Sequence, residues 1–555
     1  MFAQARNPAP HASAAPSVPV FVRLLARLAI AGLVTAALLA AGCSTLPRNV
    51  DRVPSTALED KGDTQLGRVA AASLASRDGR AGVTAGSNIS GFQVVSAGEE
   101  AFGTLYTLIT HAQRSLDLQY YIVADDPYAR TLLRAAREAA ERGVRVRLLI
   151  DDFYTTGKDE RIAWYSAHPN IEVRVFNPFT GGRAWFATRV MTSITDIGRV
   201  NRRMHNKLFI ADSAMAITGG RNIGAEYYQH SDRTNFLDVD ALAVGPIVKD
   251  LADAFDLYWN SGFAYPIEAL ARPTEATTDT IDQRALSDPQ DPVIQATEEA
   301  RQLGRTFAAK LDSGRIAMNA APAALIADRP SKVGRSRPQL GPDGLVAGAT
   351  IATDILSIIG AAQQELMVVS PYFVPGERGM QAFRALVDRG VKVRVLTNSL
   401  AATDAAIVHI GYSKYRRRLI EMGVEIYELR PEPGEEKARL GVLGSSKSSL
   451  HAKVLIVDRK TLFIGSFNVD PRSSLENTEM GLEIESEALA AQVAGILQDR
   501  GEESRYRVTL AADGGLQWTT RTNGVEQIFD DEPGAGTGLK LALKLLAPFA
   551  PEQML

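Results

Sequence analysis

Two copies of one eight-residue pattern constrain this chain more than any other feature: His, any residue, Lys, four more residues, Asp. The first reads HNKLFIAD, from His205 through Lys207 to Asp212, and the second HAKVLIVD, from His451 through Lys453 to Asp458. Each runs into a small-residue turn ending in Asn: Gly219, Gly220 and Asn222 after the first, Gly465, Ser466 and Asn468 after the second. With so few histidines, chance would yield on the order of 0.01 such matches at ordinary residue usage. The chain is an internal duplication of long period, and its fold must accommodate two equivalent units.

The duplication reaches well beyond the motifs. RSLDLQYYI, the helical stretch YARTLLRAAREAAERG and VRVRLLIDD precede the first copy; QELMVVSPYF, GERGMQAFRALVDRG and VKVRVLTNS precede the second. Gly143 and Gly390 stand at nearly equal intervals before His205 and His451, and IEVRVFNP or VEIYELRP intervenes in each half. Strands alternating with amphipathic helices predict an α/β fold built from βαβ crossovers. The expected architecture is two similar α/β lobes, each a mixed sheet flanked by helices, sharing one active site at their interface. Expected limits are 89–266 for the first lobe, 267–347 for an inter-lobe insertion, 348–510 for the second lobe and 511–555 for a tail.

The residue types suit one another. LFIA and VLIV are short apolar runs of β-formers, so each motif is expected on a buried strand, with His and Lys on the same side. Asp212 and Asp458 complete the motif, but opposite parity at the strand's end points to a structural role in the turn. A lone buried His is most often a satisfied core residue and a lone Lys a solvated one. The duplicated pair reverses that reading, because a buried ammonium needs an anion. NFLDVDALAV and NTEMGLEIES then place Asp238 opposite Glu479. These are the candidates to orient the imidazoles, since a working imidazole needs a carboxylate or carbonyl on its second nitrogen. Asp240 and Glu483 are rivals in the same strands, and a strand-edge carboxylate facing water is the plain alternative.

The paired motif resembles that of the phospholipase D superfamily over roughly 90–485. GGRNIGAEYY, NFLDVDALAVGP, SPYFVPGERG and GSFNVDPRS further resemble its bacterial cardiolipin synthases, in particular the cardiolipin synthase C-like branch. The resemblance implies phosphatidyl transfer between phospholipid substrates. One uncharged imidazole attacks phosphorus to form a phosphohistidine, and the other carries the proton. Lys207 and Lys453, with Asn222 and Asn468, would hold the non-bridging oxygens, and Gly220 and Ser466 would complete the phosphate cradle. Gly220 replaces the usual Ser, so a hydroxyl contact to phosphate is expected in one half only. The resemblance assigns His205 as nucleophile and His451 as acid and base; the residues alone allow the reverse. Lysines stand where a divalent ion would otherwise serve, so no metal and no cofactor are expected.

Arg23 and Arg27 accompany an apolar run, Leu28 to Ala41, that is short for a membrane span and stops at Gly42-Cys43-Ser44. LLAAGC resembles a bacterial lipoprotein signal, which implies a signal peptide 1–42, lipidation of Cys43 and a tether 43–88. An uncleaved signal anchor is the alternative, as is a translation start downstream of Met1. Ser44 resembles the signal for outer-membrane sorting, giving an expected site on the periplasmic side of that membrane. Cys43 is the only cysteine, so no intramolecular disulfide forms. Within 267–347, Pro292–Leu311 reads as a helix, and Arg329, Lys332, Arg335 and Arg337 as a loop that meets anionic headgroups or is simply solvated. Lys540 and Lys544 mark an amphipathic tail helix, either on a membrane surface or docked on a lobe. A formal charge of −3 argues against a nucleic-acid partner. A hydrolase and a nuclease of the same superfamily, and a catalytically idle lipid-binding lipoprotein, are the competing functions. The acceptor alcohol and the oligomeric state are not legible in the sequence.

Overall fold

The structure, a computed structural model, describes residues 46–59, 63–75, 88–193, 196–271, 291–334, 350–431, 448–499 and 501–547. The expected signal peptide, Cys43, Arg335 and Arg337 lie outside them.

The first unit contributes β1 (Ile89–Val95), β2 (Ser115–Tyr120), β3 (Arg145–Asp151), β4 (Ile171–Phe176), β5 (Leu208–Ala211), β6 (Met215–Gly219), β7 (Asn235–Leu237), β8 (Asp240–Val244) and β9 (Ala264–Pro266). The rest of the chain adds β10 (Asn319–Ala327), β11 (Glu365–Val369), β12 (Lys392–Asn398), β13 (Glu425–Leu429), β14 (Ser448–Leu450), β15 (Val454–Val457), β16 (Thr461–Gly465) and β17 (Met480–Glu485). β18 (Arg505–Leu510), β19 (Leu516–Thr522) and β20 (Val525–Phe529) follow.

The crossovers form as the sequence pattern predicts. β2 pairs parallel with β3 across the helix Pro127–Glu141, and β11 with β12 across Gly376–Asp388. The first helix starts on Asp126, whose carboxylate caps the Ala129 N–H, with Pro127 in the first turn. It buries Leu132, Ala135, Ala136, Ala139 and Ala140, a stripe at helical spacing. Both helices end on a glycine in the left-handed region, Gly143 (φ +95) and Gly390 (φ +81). The Val144 N–H then reaches the Ala139 carbonyl and the Val391 N–H the Leu386 carbonyl, which closes the last turn.

The pairings run through one 18-stranded sheet in the order β9-β4-β3-β2-β5-β6-β8-β1-β10-β17-β16-β15-β11-β12-β13-β18-β19-β20. β1 lies beside β8 and β10 beside β17, so β10 holds in the second unit the place that β1 holds in the first. β1 and β10 pair antiparallel and join the halves. The expected insertion 267–347 therefore has to be divided: Asn319–Ala327 belongs to the second unit, which begins before 348. The helix within it runs Pro292–Asp312, close to the expected span, with Ala296, Ala300, Gly304 and Phe307 buried. One apolar cluster takes Phe92, Met204 and Trp259 from the first half together with Leu450, Val454 and Leu482 from the second.

Other expectations change or narrow. Part of the expected tether is packed structure. Gln65–Ala75 is a helix with Leu66 and Val69 buried. Nearer the start, Arg52 donates to the Ala264 and Gly262 carbonyls, while buried Arg147 and Arg174 donate to the Ser55 and Val53 carbonyls. These residues are a strap, fixed because two buried guanidiniums need acceptors there. In the tail, β19 and β20 extend the sheet, and the helix Thr537–Leu546 packs through Leu543 on Ile410. Lys332 is also not a headgroup contact: it is buried, donating to Asp328 Oδ2 (2.8 Å) and the Ser473 carbonyl (3.0 Å).

Candidate active site

His205 and Lys207 lie in extended chain just ahead of β5, and His451 and Lys453 just ahead of β15, rather than on the strands themselves. What holds them is the opposite half. The His205 N–H donates to the Thr478 carbonyl, one residue before Glu479. The His451 N–H donates to the Leu237 carbonyl, one residue before Asp238. β7 and β14 pair parallel across the halves in the same place.

The carboxylates are exchanged in the same way. His205 Nδ1 lies 2.8 Å from Glu479 Oε2, and His451 Nδ1 lies 2.6 Å from Asp238 Oδ2. Each imidazole is thus oriented by the other half's carboxylate, and each is left with Nε2 as its reactive nitrogen. The rivals do different work. Asp240 pairs with Arg221 at 2.8 Å, and Arg221 braces the Asp238 carbonyl. Glu483 sits on β17 opposite Phe463.

All four motif bases are buried. Lys207 Nζ donates to the His205 carbonyl (2.5 Å), and Lys453 Nζ to the His451 carbonyl. Burial holds Lys207 well below the usual ammonium range and lowers Lys453 to about 8. Burial, then Lys207, Lys453 and Arg472, hold the His205 imidazole neutral, well below its ordinary value. His451 is lowered to about 4 by burial and Lys453, with Asp238 opposing the shift. Asp238 is held ionised: burial raises it, but the His451, Lys453 and Arg221 charges together outweigh burial. Glu479 is raised by burial. The two imidazoles therefore sit in unequal fields, and His451 is the easier to protonate.

The turn residues of the expected phosphate cradle have partners of their own. Ser466 Oγ donates to Glu479 Oε2 (2.5 Å) and accepts the Met480 N–H (3.0 Å), so its hydroxyl is turned to the carboxylate that orients His205. Gly220 is fixed by Asp238: a Cβ there would stand 2.1 Å from Asp238 Oδ1. Asn222 is held within its own half, donating to Tyr227 Oη (2.8 Å) and accepting the Ile122 N–H (3.1 Å). Asn468 differs, its buried Oδ1 having no partner. Asp212 and Asp458 take the structural role in the turn that their parity pointed to. Each stands at φ +51 in the turn after its strand. Asp212 accepts the N–H groups of Gln113, Arg114 and Ser115, and Asp458 those of Gln363, Gln364 and Glu365. They latch the hairpin to the start of the next strand.

Three features of the site were not singled out from sequence. Arg472 reaches from the second half to Asn201 Oδ1 (3.1 Å) and the Asn201 carbonyl (2.9 Å), and its charge bears on His205. Tyr121 meets His205 edge-on at 5.1 Å. Tyr227 and Phe236 flank His451 at 5.3 and 4.9 Å. Arg472 lies within GSFNVDPRS, but Glu226 holds the matching place in the first copy, so comparing the copies passes over it.

A duplicated α/β unit with two His-Lys pairs joined across its pseudo-symmetry axis defines a phospholipase D-type protein. The chain belongs to the family described as cardiolipin synthase, PLD-like domain, which matches residues 105–259 and 355–500. It is 37% identical over 460 residues to cardiolipin synthase C of Escherichia coli K12, spanning 82% of this chain and 94% of that protein. It is 25% identical over 410 residues to cardiolipin synthase A of Pseudomonas aeruginosa, spanning 73% and 66% of the two. The fold is similar to that of a phosphatidylserine synthase from Haemophilus influenzae, at a TM-score of 0.54 and 13% identity, covering 84% of this chain and 98% of that one.

Proposed function

We propose that this chain makes cardiolipin, transferring a phosphatidyl group from phosphatidylglycerol or phosphatidylethanolamine to the free hydroxyl of phosphatidylglycerol. The observation that carries the reading is the exchange of carboxylates, which brings both imidazoles to one interface and engages each through Nδ1. Neutral His205 attacks phosphorus through Nε2; the bond from phosphorus to glycerol or ethanolamine breaks, and protonated His451 gives that oxygen its proton. In the second step His451 takes the proton of the acceptor hydroxyl, whose oxygen displaces His205 from phosphorus. Lys207 and Lys453 stabilise the charge on the non-bridging oxygens.

The magnitudes support His451 as proton carrier. With His451 lowered to about 4, its imidazolium costs about 4 kcal/mol at pH 7. A phosphodiester anion ~4 Å away returns about 4 kcal/mol at an effective dielectric constant near 20. Substrate thus supplies the charge that loads the acid. Burial, with Lys207, Lys453 and Arg472 beside it, keeps His205 neutral.

The setting belongs to the same proposal: a bacterial cell-envelope enzyme anchored by lipid on Cys43, at the periplasmic side of the outer membrane. Support comes from LLAAGCS and from the strap, which is fixed to the body by Arg52. The test supplies vesicles of labelled phosphatidylglycerol, with and without phosphatidylethanolamine, and separately a DNA substrate. Cardiolipin with released glycerol or ethanolamine is expected. Phosphatidic acid as the sole lipid product overturns the synthase reading, and DNA cleavage without lipid turnover favours a nuclease. Mass analysis of the mature chain is expected to find a lipidated amino-terminal Cys43; any residue still preceding it refutes the anchor.

A further inference from the structure

Between β4 and the first motif the chain forms a short helix, Phe186–Thr192, whose polarity is reversed. Its Arg189 is wholly buried, donating to the Asp152 carbonyl (2.6 Å) and to Thr155 Oγ1 (3.0 Å). Its apolar side chains face outward: Phe186 is 51% exposed, Val190 41% and Met191 48%. Trp185 just before it is 73% exposed, and Ile197 beyond it 58%. The face is fixed in place. Arg183 clamps it, donating to Asp152 (2.9 and 2.8 Å) and to Asp159 (2.5 and 2.8 Å). A built surface of this kind, with charge inside and large apolar groups outside, marks an interaction site rather than slack chain.

Two observations say what covers it. First, it continues into the active site as a series of ring contacts. Phe186 meets Phe153 at 5.9 Å, Phe153 meets Tyr154 at 5.2 Å, Tyr154 meets Tyr121 at 5.4 Å, and Tyr121 meets His205 at 5.1 Å. The far wall lies close by: the Asp404 charge bears on Tyr154, Asp404 accepts from Tyr372 Oη (2.7 Å), and Ile407 beyond it is 50% exposed. Second, the strap delivers the amino-terminal segment to this side. Arg52 is bonded to the Gly262 and Ala264 carbonyls, and the Phe263 carbonyl between them accepts from the Asn177 N–H. Asn177 in turn holds the Arg199 and Arg202 carbonyls, within and just after the short helix Ile197–Val200. Only nine positions separate Cys43 from Arg52, a reach of about 30 Å at full extension.

We infer that the face of Trp185, Phe186, Val190, Met191 and Ile197 enters a phospholipid surface, and that Phe153, Tyr154 and Tyr121 line the way from that surface to His205. This rests on the proposed lipid substrate. Aromatic and aliphatic side chains of this kind settle at the boundary of headgroups and acyl chains, and the tyrosine rings lead a substrate inward without its chains crossing open water.

The test uses the full-length mature enzyme in phosphatidylglycerol vesicles whose acyl chains carry bromine, which quenches tryptophan on contact. Trp259 and Trp518 are buried and Trp164 is half-buried beneath Arg137, which leaves Trp185, 73% exposed, as the fully presented indole. Quenching of the wild type, abolished in Trp185→Phe, is the expected result. In Trp185→Ser/Ile197→Ser, the ratio of the rate on vesicles to the rate on dispersed dihexanoyl phosphatidylglycerol is expected to fall at least about tenfold. Absence of quenching, or an unchanged ratio, overturns the inference. Failure of the wild type to form cardiolipin from either substrate would instead refute the proposed function, a separate outcome.

Discussion

Asp238→Asn tests the division of labour between the two histidines. The carboxylate lies 2.6 Å from His451 Nδ1 in a fully buried setting, and Asn fills the same space without the charge. Replacing a charge-assisted bond by a neutral one costs about 1–2 kcal/mol, or roughly 5- to 30-fold. An amide that turns its NH2 toward Nδ1 also puts the imidazole proton on Nε2, and such tautomer errors in Asp–His pairs cost about 10⁴ in kcat. A fall of 10²- to 10⁴-fold on phosphatidylglycerol is therefore expected, roughly the span between those two limits. The assay compares that substrate with a phosphatidyl ester of p-nitrophenol, a leaving group that needs no proton. Asp238→Asn should keep the nitrophenol burst within about tenfold of the wild type while later turnovers are slow. Glu479→Gln, which disturbs His205, should slow the burst itself. If Asp238→Asn slows the burst as much as it slows phosphatidylglycerol turnover, His451 is not the proton carrier and the assignment fails.

His205→Ala and His451→Ala are each expected to abolish turnover, and acid-free trapping should find phosphate on His205 alone; substantial activity in either variant removes the shared site. Asp212→Ala takes away the acceptor of three backbone N–H groups and places Ala at φ +51. A loss of about 2–4 kcal/mol in urea unfolding is expected with kcat per folded molecule nearly unchanged, and a stable but inactive variant would restore Asp212 to the chemistry. With Lys453 lowered to about 8, its cation is present below that pH and lost above it. The free-enzyme parameter kcat/KM should decline as pH rises past about 8, and Lys453→Arg, although slower, should show a shallower decline, because Lys207, also lowered by burial, still titrates.

Much of this fold is legible in local pattern. The crossover helices carry their own stripe, cap and terminal glycine, so Pro127–Glu141 and Gly376–Asp388 are readable one segment at a time. β10 is not: NAAPAALIA contains a proline and few β-formers, and it is a strand because β1 and β17 both have an edge to fill. The strap escaped notice because its acceptors serve Arg147 and Arg174, far away in sequence. The His-Lys pairs and both orienting carboxylates were legible from the repeat. Which carboxylate serves which histidine was not, since the bonds join positions 274 and 213 residues apart. The partner of the turn serine was not legible for a simpler reason: a hydroxyl's direction depends on the nearest acceptor, here Glu479.

The antiparallel seam between β1 and β10 has a consequence for the chemistry. Two identical chains meeting along such a seam would be related by a two-fold axis, and every residue of one would share its environment with its counterpart. Their two histidines would have one proton affinity and would compete for the same task. Here the seam lies within a single polypeptide, so each side of the axis mutates alone. Gly220 against Ser466, Asp238 against Glu479 and Glu226 against Arg472 are the marks of that freedom. Covalent continuity lets a site of two interchangeable bases become one whose two histidines are held by unlike carboxylates in unlike surroundings.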